Sequence, residues 1–330
     1  FFIRGKIIPM NLIDLNDIIN KSKNILIVTH VNPDGDALGS MTAMCGLLQD
    51  NFKKKPSMLA LSHIPSIYQY LPHIKEIKTL DDIDKSMVYD LVIAVDLAAL
   101  DRLMDAQILF DKAKFTINLD HHKTNNGYGD FARVKGDASS AGEVIYEVAR
   151  ELNWKISENV ALSLYTSILT DTGAFRFDNT SAESLRIAAD LVEMGVKPVD
   201  VYKKCYENKS KGLVLFQNYC VNKAQFMDDD KIAYLIVYKK DLDKFNAKGD
   251  YTDGIAETLR SINSTEVSFV LKEIGDKVFK ASMRSKHIDI AKVCETFNGG
   301  GHKFAAGCTI KASAEDAVKR IVNQIHKQEF

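Results

Sequence analysis

What this sequence lacks narrows it first. No stretch approaches the roughly 18 consecutive apolar residues that a membrane-crossing helix needs, and residues 1–9 are too few for the apolar stretch and cleavage site of a signal peptide, so no membrane partner is expected. Charge of neither sign is in excess: 43 Lys and Arg face 44 Asp and Glu, a formal net charge of −1. No global positive field therefore draws the chain onto long nucleic acid or an anionic membrane, and any nucleic-acid ligand should be short or held locally. The five cysteines, Cys45, Cys205, Cys220, Cys294 and Cys308, contain no CxxC pair, and their odd number argues against a disulfide framework and against a zinc site. That usage fits a reducing cytoplasm. Neither an internal repeat nor a low-complexity segment occurs. Met10 is a candidate start, and the sequence leaves open whether residues 1–9 are native.

What is present suffices for two globular domains: 330 residues, 46% hydrophobic and 26% charged, allow two cores more readily than one. Residues 24–29 (NILIVT) form a β-branched apolar run that stops at the turn-rich segment from His30 through Pro33, Asp34, Gly35 and Asp36, before a helical pattern over 37–49. The same grammar recurs at 89–95 (YDLVIAV) before Asp96, and at 114–119 (KFTINL) before Asp120, His121 and His122. Both runs read as parallel strands buried on two faces. Helical patterns follow at 140–152 and 158–170, the first opened by a capping-box pair, Ser140 and Glu143. Strands alternating with helices imply an α/β fold, a doubly wound parallel sheet with right-handed crossovers. From 181 to about 225 the pattern is helical, broken at Gly195 and Pro198, and reads as a helical connector. Strands at 231–238, 267–274 and 277–285, with helices at 254–262, 289–297 and 314–327, then make a smaller α/β domain. The expected partition is a catalytic domain at 10–190, a connector at 191–225 and a substrate-binding domain at 226–330.

In a doubly wound sheet, ligands bind beyond the carboxyl ends of the strands. His30, Asp96 and Asp120 all fall there, so one rim gathers residues far apart in sequence. Taken alone, an aspartate after a strand is ordinarily a turn or helix cap, an Asp-Gly is a turn, and adjacent histidines belong to surface or core. Together, Asp34, Asp36, Asp96, Asp120 and Asp171 would place five carboxylates at one sheet edge, where like charges at ~4 Å cost several kcal/mol at protein-like dielectric. Divalent cations would neutralise them, and oxygen-rich sites with one imidazole each suit Mn²⁺ or Mg²⁺ rather than zinc or copper. Two such ions ~3.5–4 Å apart activate a water and clamp the attacking and leaving oxygens of an in-line displacement at phosphorus. Cys45, in the helix after the first loop, reads as packing rather than as a nucleophile.

These residues also carry a resemblance. HVNPDGDALGS at 30–40, Asp96 at a strand end, the triplet Asp120, His121, His122, and LTDTGAFRF at 169–177 resemble, in type and order, the four motifs of the DHH phosphoesterases. FNGGGHKFAAG at 297–307 resembles the glycine-rich signature of the DHH-associated substrate domain. The likeness covers nearly the whole chain from Ile25 onward, and length and the absence of extra domains point within the family to the bacterial nanoRNase and 3′-phosphoadenosine 5′-phosphate (pAp) phosphatase group. It implies His30 and Asp34 on one metal, Asp36, His121 and Asp171 on the other, and Asp96 bridging, with Asp120 orienting a histidine and His122 facing the scissile phosphate. The implied cofactor is two Mn²⁺, with Mg²⁺ or Co²⁺ as substitutes, and the implied assembly is a homodimer.

One or two glycines after a helix are by default a C-cap and turn. Three, Gly299, Gly300 and Gly301, followed by His302, exceed that need and could expose backbone N–H groups as an anion nest. Arg284 offers bidentate phosphate recognition or a solvated surface charge, and the resemblance favours substrate binding for it, for Gly300 and Gly301, and for His302. The expected activity is hydrolysis of short oligoribonucleotides to mononucleotides, together with action on pAp and on linear dinucleotides, in a cleft between the two domains. A processive enzyme on long strands would carry a basic channel. Two rivals stand beside it: a manganese-dependent inorganic pyrophosphatase, which lacks reason for the glycine loop, and a nucleotide-binding regulator without catalysis, which lacks reason for a full ligand set.

Overall fold

The structure, a computed structural model, describes residues 14–247 and 249–328, without the side chains of 249 and 250; residues 1–13, and with them the question of Met10 and the leading nine residues, lie outside the described residues. The chain divides between residues 208 and 209 into two compact units. The first contains α1 (Asp14–Lys21), β1 (Ile25–Val28), α2 (Gly35–Phe52), β2 (Ser57–Leu59), β3 (Ile77–Lys78), β4 (Leu91–Val95), α3 (Gln107–Asp111), β5 (Thr116–Asp120), β6 (Phe131–Val134), α4 (Ala141–Glu151), α5 (Glu158–Asp171), α6 (Ala182–Glu193) and α7 (Pro198–Tyr206).

Its six strands lie in the order β3-β2-β1-β4-β5-β6, every pair parallel. Chain direction across the sheet reverses between β1 and β4, which is the point where such sheets form a ligand crevice. Every residue of β1, β4 and β5 is buried, because alternate side chains enter different cores. Ile25 and Ile27 of β1, with Leu91, Ile93 and Val95 of β4, pack under α2, α4 and α5. Leu26, Val28, Val92 and Ala94 pack on the opposite face against Leu103, Ala106, Leu109 and Phe110. Helix α2 runs longer than the expected 37–49, and its buried length rests against α5. A Cβ on Gly39 would lie 2.7 Å from the Ser163 carbonyl oxygen, so only glycine permits this approach. The short strands β2, β3 and β6 escaped sequence reading, being two to four residues long.

The second unit holds α8 (Lys211–Val221), β7 (Gln225–Met227), β8 (Ile232–Val237), α9 (Lys239–Lys244), α10 (Ile255–Arg260), β9 (Val267–Gly275), β10 (Val278–Ser285), α11 (Ile290–Glu295), β11 (Gly300–His302), β12 (Ala305–Lys311) and α12 (Ala314–Ile325). Its sheet order is β11-β12-β10-β9-β8-β7, antiparallel except for the parallel pair β8 and β9. The stretch read as a connector is shared between the units rather than standing alone. Ile187, Leu191 and Val201 of α6 and α7 enter the first core, while Phe216 and Cys220 of α8 enter a core of the second. All five cysteines are free, and among the described residues no helix is long and apolar enough to cross a membrane.

Candidate metal centre

Each acidic or imidazole group at the rim is delivered by the end of an element. His30 follows β1, and Asp34 caps α2, its Oδ1 accepting the Ala37 N–H at 3.0 Å. Asp36 lies in the first turn of α2, Asp96 directly after β4, Asp120 at the last position of β5, and Asp171 at the last position of α5. Asp120 thus belongs to the strand that the sequence reading ended at 119. Asp96 holds a φ of 50°, a left-handed conformation that side chains rarely adopt and that here turns the chain sharply at the sheet's reversal point.

His30 Nδ1 lies 2.8 Å from the Val31 carbonyl oxygen, an acceptor that places the ring proton on Nδ1 and turns Nε2 to Asp96 Oδ2 at 3.3 Å. His121 Nε2 sits among three carboxylates: Asp36 Oδ2 at 3.4 Å, Asp96 Oδ1 at 3.6 Å and Asp171 Oδ2 at 3.8 Å. His122 Nδ1 donates to Asp120 Oδ1 at 2.8 Å, and Asp120 Oδ2 accepts from Asn125 Nδ2 at 2.6 Å. Asp36 is held at the N-terminus of α4, where Ala141 N–H reaches Oδ2 at 2.8 Å and Ser167 Oγ reaches Oδ1 at 2.5 Å.

Crowding and burial shift the titration of these groups in opposite directions. Burial, then the Asp96 charge, pushes Asp36 up to about 7, and burial with the Asp36 charge raises Asp171 well above the usual carboxylate range. Asp34 has a solvent-exposed face, but the atoms packed around it and the Asp96 charge still raise it. Asp96 moves the other way, to about 2: burial opposes its ionisation, and the His30 hydrogen bond and charge outweigh burial. Burial also opposes charge on His30 and His121, yet Asp96 for the first and Asp36 for the second bring both up to about 9.

The residues expected to grip substrate lie in the second unit. Arg284 stands on β10 with its Nε 2.7 Å from Glu257 Oε1 of α10. It pairs across the sheet with Ala305 of β12, which pairs with His302 of β11. Directly opposed residues share a face, so Arg284 and His302 flank Ala305 on one side of the sheet. The three glycines do not form the expected loop nest, because Gly300 and Gly301 are part of β11 and paired to β12. Close packing explains two of the three: a Cβ on Gly299 would lie 2.3 Å from the Gly307 carbonyl oxygen, and one on Gly301, whose φ is 145°, would lie 2.6 Å from that of Ala305. Gly300 faces open space.

A family model described as "DHH family, N-terminal domain" matches residues 24–168, and one described as "DHHA1 domain" matches residues 229–328. A Streptococcus mutans protein named "Probable bifunctional oligoribonuclease and PAP phosphatase NrnA" is 30% identical over 293 residues, 88% of this chain and 91% of that protein. The chain belongs to the DHH family. A Bacillus subtilis protein named "Bifunctional oligoribonuclease and PAP phosphatase NrnA" is 28% identical and spans 87% of this chain and 89% of its own length. The crystal structure of an exopolyphosphatase-related protein from Bacteroides fragilis matches with a TM-score of 0.90 at 25% identity, covering 96% of each chain.

DHH phosphoesterases depend on metal, and the donors present fit that requirement. His30, Asp34 and Asp96 form one group with ligand atoms within 4.8 Å of one another, and Asp36, His121 and Asp171 form a second. Between them Asp96 Oδ1 is buried without a hydrogen bond, its nearest imidazole nitrogens, His121 Nε2 and His122 Nδ1, each standing off at 3.6 Å, which leaves a bound cation to complete its shell. The DHH motifs account for the ligands but not for their supports. Asn125, Ser167 and Asn179, whose Nδ2 reaches Asp171 Oδ2 at 3.1 Å, went unread. Only the helical spacing of Ser167 four residues before Asp171 could have marked one of them.

Proposed function

We propose that this chain is a two-metal phosphoesterase that hydrolyses short oligoribonucleotides to mononucleotides and removes phosphate from pAp, with Mn²⁺ as its working metal and linear dinucleotides among its substrates. The observation that carries this reading is the meeting of two ligand groups beside a buried Asp96 Oδ1 that makes no hydrogen bond. The oligoribonuclease and PAP phosphatase names of relatives aligned over most of both chains support the substrate class.

His30 and Asp34 would hold one ion, Asp36, His121 and Asp171 the other, and Asp96 both. When bound, the pair supplies Lewis acidity and an activated water for displacement at phosphorus. The protein's own part is positional. Asp120 accepts a hydrogen bond from His122 Nδ1 and is itself fixed by Asn125, which would leave the opposite edge of the His122 ring to donate to a non-bridging phosphate oxygen. Ser167 and the α4 backbone amides hold Asp36 so that its carboxylate does not rotate away from His121. Arg284 and His302, on one sheet face, would bind the distal phosphate or base of a short substrate, with Gly300 leaving that face open.

The test is an Mn²⁺-supported assay across pAp, di- to pentaribonucleotides, their DNA counterparts and pyrophosphate. Turnover of the ribonucleotides and pAp, abolished by chelation, is expected. Turnover of pyrophosphate alone, or full activity in excess chelator, would overturn the reading.

A further inference from the structure

Apart from the acidic centre, one cluster of ligating side chains among the described residues of the first unit has no part in the proposed chemistry. Cys45 of α2, His73 and Glu76 each offer one ligand atom, and those three atoms lie within 4.8 Å of one another. The fold creates this meeting. Residues 66–76 include two short 3₁₀ turns, Ser66–Tyr68 and Ile74–Glu76, and Tyr68, Leu71 and Ile74 bury against Leu38 of α2. His73 caps the second turn with a φ of 60°, and its Nδ1 lies 2.8 Å from Glu76 Oε1. The His73 ring lies beside Gly46, the residue after Cys45: a Cβ there would stand 4.0 Å from His73 Nε2, an ordinary contact.

The chemistry of the three groups is that of a soft cation site. Cys45 is buried, and its sulfur accepts from Gln49 Nε2 at 3.3 Å, a contact that favours thiolate. Burial and the nearby Glu76 charge push the thiol up to about 12, and a cation beside the sulfur would offset both. One sulfur, one imidazole and one carboxylate, with a fourth position left for water, match the donor preferences of Zn²⁺ and not those of the oxygen-rich Mn²⁺ centre. Glu76 is exposed and His73 partly so, which gives an ion a path from solvent.

We propose that Cys45, His73 and Glu76 bind a Zn²⁺ ion, its fourth position left to water, that clips the 73–76 turn to α2, the helix whose first turn carries Asp36. On binding, the Cys45 S–H bond is replaced by a sulfur–metal bond and its proton passes to solvent; Glu76 contributes a carboxylate oxygen and His73 a ring nitrogen. Cysteine spacing could not reveal such a site, because one cysteine supplies one ligand and the others follow 28 and 31 positions later. The proposal stands independently of the phosphoesterase function.

The acidic centre contains no sulfur, so Co²⁺ titration of the full chain separates the two sites. Expected is a near-ultraviolet thiolate-to-Co²⁺ charge-transfer absorption that saturates at one equivalent of sulfur-bound ion and is displaced by Zn²⁺. It should be absent in Cys45→Ala and need at least ~10-fold more Co²⁺ in His73→Ala and Glu76→Gln. Since Cys45 is buried and its alanine variant could fail to fold, the two surface-reaching variants decide on their own in that event. No such absorption in the native chain, survival of it in folded Cys45→Ala, or an unchanged Co²⁺ midpoint in both His73→Ala and Glu76→Gln would overturn the proposal.

Discussion

In the first unit, β1, β4 and β5 run parallel and end at one rim, so residues 30, 96 and 120 meet although some 90 positions of chain separate the first from the last. In the second, strands run mostly antiparallel, and Arg284, Ala305 and His302 line up as a row across three neighbours on one face. A rim concentrates charge at a buried point, where ions can be shared. A row spreads functional groups over a surface, where a ligand can be laid along them. The polar groups differ accordingly: Asp36 and Asp96 are almost wholly inaccessible, while His302 is exposed and Arg284 is partly so and already paired with Glu257. Damage at the rim should therefore abolish chemistry, and damage in the row should weaken grip.

The strongest way to break that contrast is Asp96→Asn. Asparagine keeps the volume and tolerates the φ of 50°, so the variant removes charge without adding backbone strain. Because Asp96 would serve both ions in the proposed function, we expect kcat to fall by more than ~100-fold, beyond the loss usual for an outer supporting group. Metal content by mass spectrometry should fall with it; near-native kcat with both ions bound would refute the shared-carboxylate role.

Next in size is the pH dependence of metal binding. His30 and His121 are raised to about 9 in the metal-free protein, so below that pH each holds a proton that an incoming ion must expel. Apparent affinity should accordingly rise about tenfold per pH unit at each site between pH 7 and 9, then level off. Asp36, raised to about 7, steepens the fall on the acid side. Calorimetric titrations of Mn²⁺ in buffers of different ionisation enthalpy would count the released protons, and an affinity independent of pH would mean that the imidazoles are not ligands.

Much of the first unit was legible because its signals are local and repeated. A buried apolar run followed at once by an imidazole or an acid, His30, Asp96 and Asp120 in turn, specifies both the strand and the end at which that group lies. Its supports were not legible: Asn125 and Asn179 act through tertiary geometry, and nothing in their neighbourhood distinguishes them from turn residues. The second unit was read less well for a related reason. Gly299 and Gly301 look like a flexible loop because glycine signals conformational freedom, whereas their use here is to let β11 lie against β12 without a Cβ in the way. The connector dissolved into two cores because amphipathic helices do not state which neighbour they cover.

The row itself is probed by Arg284→Ala and His302→Ala. Loss of one charge-assisted contact is worth about 1.5–3 kcal/mol, so kcat/KM for a diribonucleotide should drop by tens of fold. Hydrolysis of a small activated phosphodiester, which has no distal part to hold, should change by less than about twofold. Equal losses on both substrates would move these residues into the chemistry or the fold and erase the distinction between rim and row.

The smallest effect distinguishes packing from function within the glycine strand. Gly301→Ala places a Cβ 2.6 Å from the Ala305 carbonyl oxygen at a φ of 145°, a conformation that costs on the order of 1–3 kcal/mol for a residue with a side chain. Gly300→Ala meets nothing within 4 Å, and only the entropy of the unfolded chain changes, which favours alanine by a few tenths to about 1 kcal/mol. Chemical denaturation of the full chain should show the second unit losing stability in Gly301→Ala and keeping it in Gly300→Ala. If both variants unfold alike, the glycines are not distinguished by the β11–β12 register, and the case for a strand rather than a nest at this position fails with it.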